Sequence, residues 1–94
     1  MKINNAGDVI RFKSTPRNYR PEWAGLKPYT IRVIPHDEAP ENIYSLFAID
    51  HIDITNTETS ESFRRRVSFV QLFEVHPDSS VWIFSWQHPR EVQQ

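Results

Sequence analysis

The 94-residue chain contains no cysteine, only two glycines and no long apolar run. The absence of cysteine excludes a disulfide scaffold, thiol catalysis and cysteine-based zinc sites. The longest apolar stretches, residues 46–49 and 81–84, are far shorter than the ~20 residues of a membrane-spanning helix. The four histidines show no metal-ligand spacing, so we expect no metal ion and no cofactor. The start also lacks an apolar leader, and we therefore expect a cytoplasmic protein without membrane contact.

The apolar content is sufficient for one modest core. Apolar residues make up 38% of the chain, and 13% of all residues are aromatic. A chain of this size buries about 65% of its unfolded surface, which allows one core built from large rings. We therefore predict a single domain over residues 1–94.

The formal net charge of −1 hides a division along the chain. Residues 1–36 hold seven basic and two acidic residues, a net charge of +5, whereas residues 37–61 hold seven acidic residues and no lysine or arginine. A basic third of the chain suits a nucleic-acid ligand. The acidic segment 37–61 either neutralises those cations from within the molecule or docks a basic protein partner.

Alternating apolar and polar residues predict strands at 9–13, 29–34, 51–55, 63–73 and 81–88. Ser14 or Thr15 followed by Pro16 predicts a capped helix start, and Gly25 predicts a left-handed helix end. Between them, Pro21 is expected to prevent one continuous helix. A second short helix is predicted over 41–47. The fold class is α+β, a small, mostly antiparallel β-barrel with one or two short helices.

The period of two also assigns faces within the strands. In the second strand, Thr30 and Arg32 share a face. In the fourth strand, Arg64 and Arg66 share a face, so at most two residues of the three-arginine run can follow a phosphate backbone. Opposite them, Phe63, Phe69 and Phe73 are expected to share the other face.

Residues 25–32 read G-x-K-x-x-T-I-R. This string resembles the signature of ASCH domains, members of the PUA-like barrel group, which usually show G-x-K-x-x-E-x-R. Thr30 stands where those domains have an acidic residue, and the threonine form is similar to that of small bacterial acetylcytidine amidohydrolases. The resemblance implies a PUA-like barrel whose pocket meets RNA, modified nucleotides or nucleosides.

The same resemblance implies roles for single residues. Gly25 would make the turn, Lys27 would supply the charge at the pocket floor, and Arg32 would support it. In an amidohydrolase, Lys27 would act as base and Thr30 as nucleophile. That group also uses a glutamate on a later strand, for which Glu61 and Glu74 are the nearest candidates.

Three functions follow as hypotheses. The first is an RNA-binding or modified-nucleotide-binding domain with a basic cleft. The residues predicted to bind are Arg11, Lys13, Gly25, Lys27, Tyr29, Thr30, Arg32, Arg64 and Arg66, with Trp86 as a platform for stacking on a base. The second is an amidohydrolase that acts on acetylated cytidine. The third is a non-enzymatic interaction protein, such as a virus-encoded factor, that works through segment 37–61.

Overall fold

The structure, a computed structural model, describes residues 9–87. This part of the chain forms five strands, one α-helix and one 3₁₀ helix. In chain order they are β1 (Val9–Ser14), α1 (Pro16–Ala24), β2 (Tyr29–Pro35), the 3₁₀ helix (Ile43–Ala48), β3 (His51–Asn56), β4 (Ser62–Val75) and β5 (Ser79–Trp86). The predicted strands and helical segments are confirmed, with small shifts at their ends. His88, predicted to end the last strand, lies outside the described residues.

The five strands form one curled, half-barrel sheet in the order β1-β3-β4-β5-β2. β1 runs parallel to β3, and the other three neighbouring pairs are antiparallel. This confirms the predicted small α+β fold with a mostly antiparallel sheet. The order leaves β1 and β2 as the two edge strands, unpaired with each other.

Helix α1 is a single helix of nine residues that continues through Pro21, so the predicted break is wrong. A proline inside a helix removes one backbone donor, and here the short helix accommodates that loss. The predicted side-chain cap is also wrong, because the Thr15 side chain makes no cap hydrogen bond. The helix ends as predicted at Gly25, whose φ of 82° is the left-handed conformation that glycine adopts without steric cost.

The alternation predicted for β2 is confirmed. Thr30 and Ile34 are buried and Arg32 is half-buried, whereas Ile31 and Val33 are exposed. The concave side of the sheet surrounds a core of large apolar side chains: Ile10, Phe12, Ile34, Leu46, Ile52, Ile54, Phe63, Trp82, Phe84 and Trp86. Two polar groups of β2 therefore lie on the same side of the sheet as the core.

Two register shifts in β4 overturn part of the predicted alternation. They lie between Val67 and Phe69 and between Leu72 and Glu74. Each shift adds a residue to β4 relative to β5, which changes the side of the sheet that the following side chains occupy. Phe69 and Phe73 are consequently exposed, 58% each, instead of sharing the inner face with Phe63.

None of the helices within residues 9–87 has the length and apolar character that a membrane crossing requires.

Candidate functional site

The opening between the edge strands β1 and β2, here called the seam, is spanned by Arg32. Its Nε donates to Thr30 Oγ1 at 2.9 Å on the same strand. One terminal nitrogen donates to the backbone carbonyl of Lys13 at 2.8 Å, and the other donates to Ser14 Oγ at 2.6 Å. Because Lys13 and Ser14 belong to β1, this guanidinium joins the two edges of the sheet.

A buried carboxylate continues this arrangement on the other side of Ser14. Glu22 on α1 is 1% exposed, and its Oε1 accepts a hydrogen bond from Ser14 Oγ at 3.2 Å. The Lys27 ammonium lies 3.4 Å from Oε2, an ion-pair distance without hydrogen-bond geometry. Oε2 therefore keeps its capacity to accept a hydrogen bond. Ser14, Glu22, Lys27, Thr30 and Arg32 together form what we call the seam network.

The environment of Arg32 combines burial with opposite charge. Burial lowers the pKa of Arg32 from its ordinary value, and the nearby Glu22 carboxylate opposes that shift. The guanidinium carbon also lies 4.6 Å from the centre of the Phe12 ring, a cation–π contact. An arginine keeps its proton at neutral pH in such surroundings. The seam therefore holds a fixed positive charge against an aromatic wall.

A cavity of about 650 Å³ opens at the seam. It is lined by Arg11, Phe12, Lys13, Arg32, Val33, Pro35, Glu38 and Thr55. Three of the cations that the sequence predicted to bind, Arg11, Lys13 and Arg32, thus border one space. They come from both edge strands, so the curling of the sheet brings them together.

On the outer face of the sheet, Asp53 sits between two arginines. Arg64 makes a bidentate ion pair with Asp53, at 2.6 Å and 2.9 Å, and Arg11 Nε lies 3.5 Å from the same carboxylate. The hydrogen bond from Arg64 lowers the pKa of Asp53 from its ordinary value. Arg66 is exposed on the same face, opposite His51. The acidic segment thus supplies a counter-ion for these cations.

The predicted catalytic pair occupies two different parts of the seam network. Thr30 is 2% exposed, and its hydroxyl oxygen accepts from Arg32. The Lys27 ammonium pairs with Glu22 and lies 5.5 Å from the centre of the Tyr29 ring. Gly25 makes the turn that brings the chain from α1 towards β2.

The carboxylate that the structure places beside Lys27 is Glu22. Glu61 is exposed, and Glu74 at the far end of β4 pairs with His76 at 2.7 Å. Glu22 is not among the residues predicted from the sequence, because only acids that follow residues 25–32 were considered as the carboxylate beside Lys27. A signal was present: Glu22 follows Tyr19 by three residues, which places both on one side of α1, and both are buried.

Trp86 is 2% exposed and packs against Phe63 with ring centres 6.3 Å apart. It therefore belongs to the core and does not present a face for stacking on a base, contrary to the expectation from the sequence. Trp86 pairs with Val67 in the last antiparallel pair between β4 and β5, and this pairing holds it inside.

Within residues 9–87, no group of three or more histidine, aspartate or glutamate residues is arranged to hold a metal ion. Comparison with protein-family models, with curated proteins and with solved structures finds no match to this chain.

Proposed function

We propose that this chain binds RNA or a phosphate-bearing nucleotide in the seam cavity. The observation that carries the proposal is the convergence of Arg11, Lys13 and Arg32 on one cavity bounded by the two edge strands. The resemblance of residues 25–32 to ASCH domains of the PUA-like group supports the same class of ligand. The protein would then be a small nucleic-acid-binding or nucleotide-binding module.

The three cations differ in how they would act. Arg32 is held by its three hydrogen bonds, so it offers charge that is already oriented. The Arg11 side chain is 54% exposed, and Lys13 is also exposed, so both can move towards a phosphate. Phe12 and Val33 add apolar surface that suits a base or sugar. This combination favours a nucleotide over a simple inorganic anion.

Binding should depend on salt through Arg11 and Lys13. For single-stranded nucleic acid each phosphate contact adds about 0.7 to the slope of log affinity against log salt. The double variant Arg11→Ala with Lys13→Ala should therefore lower the magnitude of that slope by about 1.4 and weaken binding about tenfold or more. Fluorescence anisotropy with a labelled single-stranded RNA, titrated at several salt concentrations, measures both.

The matched control removes the same charge elsewhere. Arg17→Ala with Arg20→Ala alters two exposed cations on α1 and should leave the slope nearly unchanged. An equal loss in both double variants would mean that net charge, and not the seam, attracts the ligand. Failure of the wild-type chain to bind any single-stranded or double-stranded RNA or DNA at low salt would refute the proposal.

Hydrolysis of acetylated cytidine is a second candidate, favoured by the pairing of Glu22 with Lys27. That contact supplies the carboxylate that the resemblance implies, although from α1 and not from a later strand. Thr30 accepts its hydrogen bond from Arg32, which leaves its own O–H free to be donated to a base. Thr30 would attack the acetyl carbonyl and release cytidine, and water would then hydrolyse the acetyl ester on Thr30 to give acetate.

Incubation with acetylcytidine, followed by chromatography of the nucleosides, tests this candidate. We expect cytidine to appear with the wild-type chain and its formation to stop in Lys27→Ala, because Lys27 would be the base. Arg17→Ala serves as the control, since Arg17 is an exposed cation on α1 that does not line the seam cavity. Unchanged substrate, or turnover that survives Lys27→Ala, would reject this function without affecting the RNA-binding proposal.

A further inference from the structure

The outer side of β4, β5 and β2 presents an apolar surface. We call it the outer apolar face; its members are Tyr29, Ile31, Val33, Phe69, Phe73 and Ile83. The register places its members in neighbouring rows: Ile31 pairs with Ile83 in one row, and in the next row the small Ser85 lies between Tyr29 and Phe69. The two register shifts of β4 lie beside Phe69 and Phe73, whose exposed rings supply two of the six members of this face.

The exposure of these side chains is large for a chain of this size. Ile31 is 54% exposed, Val33 64%, and Phe69 and Phe73 58% each. With about 200 Å² for an aromatic residue and somewhat less for an aliphatic one, the face offers roughly 550 Å² of accessible surface. A standard interface buries about 800 Å² on each partner. Two copies that meet through this face would bury roughly 1,100 Å² in total, above the about 1,000 Å² expected of a specific interface and in the range of weak, reversible ones.

We propose that the outer apolar face binds a second copy of this chain, giving a two-fold symmetric dimer. In such a dimer the same patch meets itself, so any charge within it would face an identical charge. The face consists of uncharged side chains, with Glu74 at its border, where that carboxylate is paired with His76. The formal net charge of −1 also lets two copies approach without strong repulsion.

Packing of two sheets face to face is the geometry that suits this surface. Sheets stack about 10 Å apart, with side chains from the two inner faces interdigitating. A pair of chains joined in this way would bury the exposed rings of Phe69 and Phe73 against the branched residues of β2. Interfaces of homodimers are more apolar than other interfaces, in agreement with this composition.

Analytical ultracentrifugation of the full chain over a wide concentration range tests the dimer. We expect wild-type protein to associate reversibly, and Ile31→Glu to raise the dimer dissociation constant by about tenfold or more. Phe69→Ser is a second variant on another strand, in case Ile31→Glu reduces folding. Tyr44→Glu is the matched control, because Tyr44 is 61% exposed on the 3₁₀ helix and should leave association unchanged.

Ile31 does not line the seam cavity, so RNA affinity per chain should survive Ile31→Glu and report separately on the proposed function. Wild-type chain that stays monomeric at about 500 μM would overturn the dimer. Association that resists both Ile31→Glu and Phe69→Ser, or that Tyr44→Glu weakens equally, would overturn it too.

Discussion

Replacing Arg32 with alanine should lower the free energy of unfolding by about 3 kcal/mol. The guanidinium makes three hydrogen bonds, and its loss leaves Thr30 Oγ1 and the Lys13 carbonyl without this donor. The buried Glu22 also loses a positive neighbour, connected to it through Ser14. Urea unfolding followed by tryptophan fluorescence measures the change, because Trp82 and Trp86 are buried in the core.

Arg32→Lys separates charge from geometry in the same experiment. A lysine keeps the positive charge, but one ammonium cannot reproduce the three directed hydrogen bonds of a planar guanidinium. We expect about half the loss of stability and a smaller loss of RNA affinity than in Arg32→Ala. Arg17→Ala, which alters an exposed cation on α1, should change the free energy by less than about 0.5 kcal/mol. A loss in Arg32→Ala no larger than in Arg17→Ala would contradict the bridging role.

The reason why Arg32 matters lies in how the half-barrel is closed. Strands that pair through their backbones lie about 4.8 Å apart, which leaves no space between them. At the seam, a long side chain joins β1 to β2 in place of such pairing, and a cavity of about 650 Å³ remains. Arg32 therefore joins the two edge strands and at the same time leaves the candidate binding cavity open.

The inner face of β2 could be predicted from the sequence because it depends on local alternation. In a strand, residues two apart share a face, so Thr30, Arg32 and Ile34 are placed by geometry alone. Burial of all or part of each follows from the curling of the sheet, and the structure confirms it. The convergence of Arg11 with Arg32 was expected from charge. Their strands, however, lie at opposite edges of the strand order, and only the curling of the sheet brings them together.

The spacing of Tyr19 and Glu22 places both on one side of α1, but it does not identify the partners that allow Glu22 to be buried. A glutamate is rarely buried unless it is paired, and its partners here are Ser14 on β1 and Lys27 after the helix. The outward turn of Phe69 and Phe73 was missed for a different reason. Strict alternation in β4 breaks at Phe69-Val70 and at Leu72-Phe73, but adjacent apolar residues do not by themselves locate a bulge, because a bulge is set by pairing with β5.

The structure shows where acids of segment 37–61 lie relative to the basic residues. Asp53, from the acidic segment, lies between Arg11 and Arg64, and Glu38 borders the seam cavity beside Arg32. At least these two acids are therefore placed among the cations. Other acids of the segment, including Asp37 and Glu41, are exposed. A direct binding experiment tests the hypothesis that they bind a protein partner.

Glu22→Ala should be among the most destabilising single changes in the chain, with a loss of about 4 kcal/mol. Its carboxylate is 1% exposed, accepts from Ser14 and pairs with Lys27, so its removal leaves buried donors and positive charge without compensation. Glu22→Gln keeps an oxygen for Ser14 and should cost about half as much. Glu58→Ala, at an exposed turn position, should change stability by less than about 0.5 kcal/mol.

A double-mutant cycle shows whether Glu22 acts together with Arg32. Glu22→Gln leaves the half-buried Arg32 without its nearby carboxylate, and Arg32→Met leaves Glu22 with Lys27 as its remaining cation, whereas the double variant removes both charges. The double variant should therefore lose about 1–2 kcal/mol less than the two single variants together. The same cycle with Glu58→Gln in place of Glu22→Gln should be additive, because Glu58 lies in the exposed turn before β4. Additivity in the Glu22 cycle would mean that Ser14 separates two independent interactions, and that the seam network is not one cooperative unit.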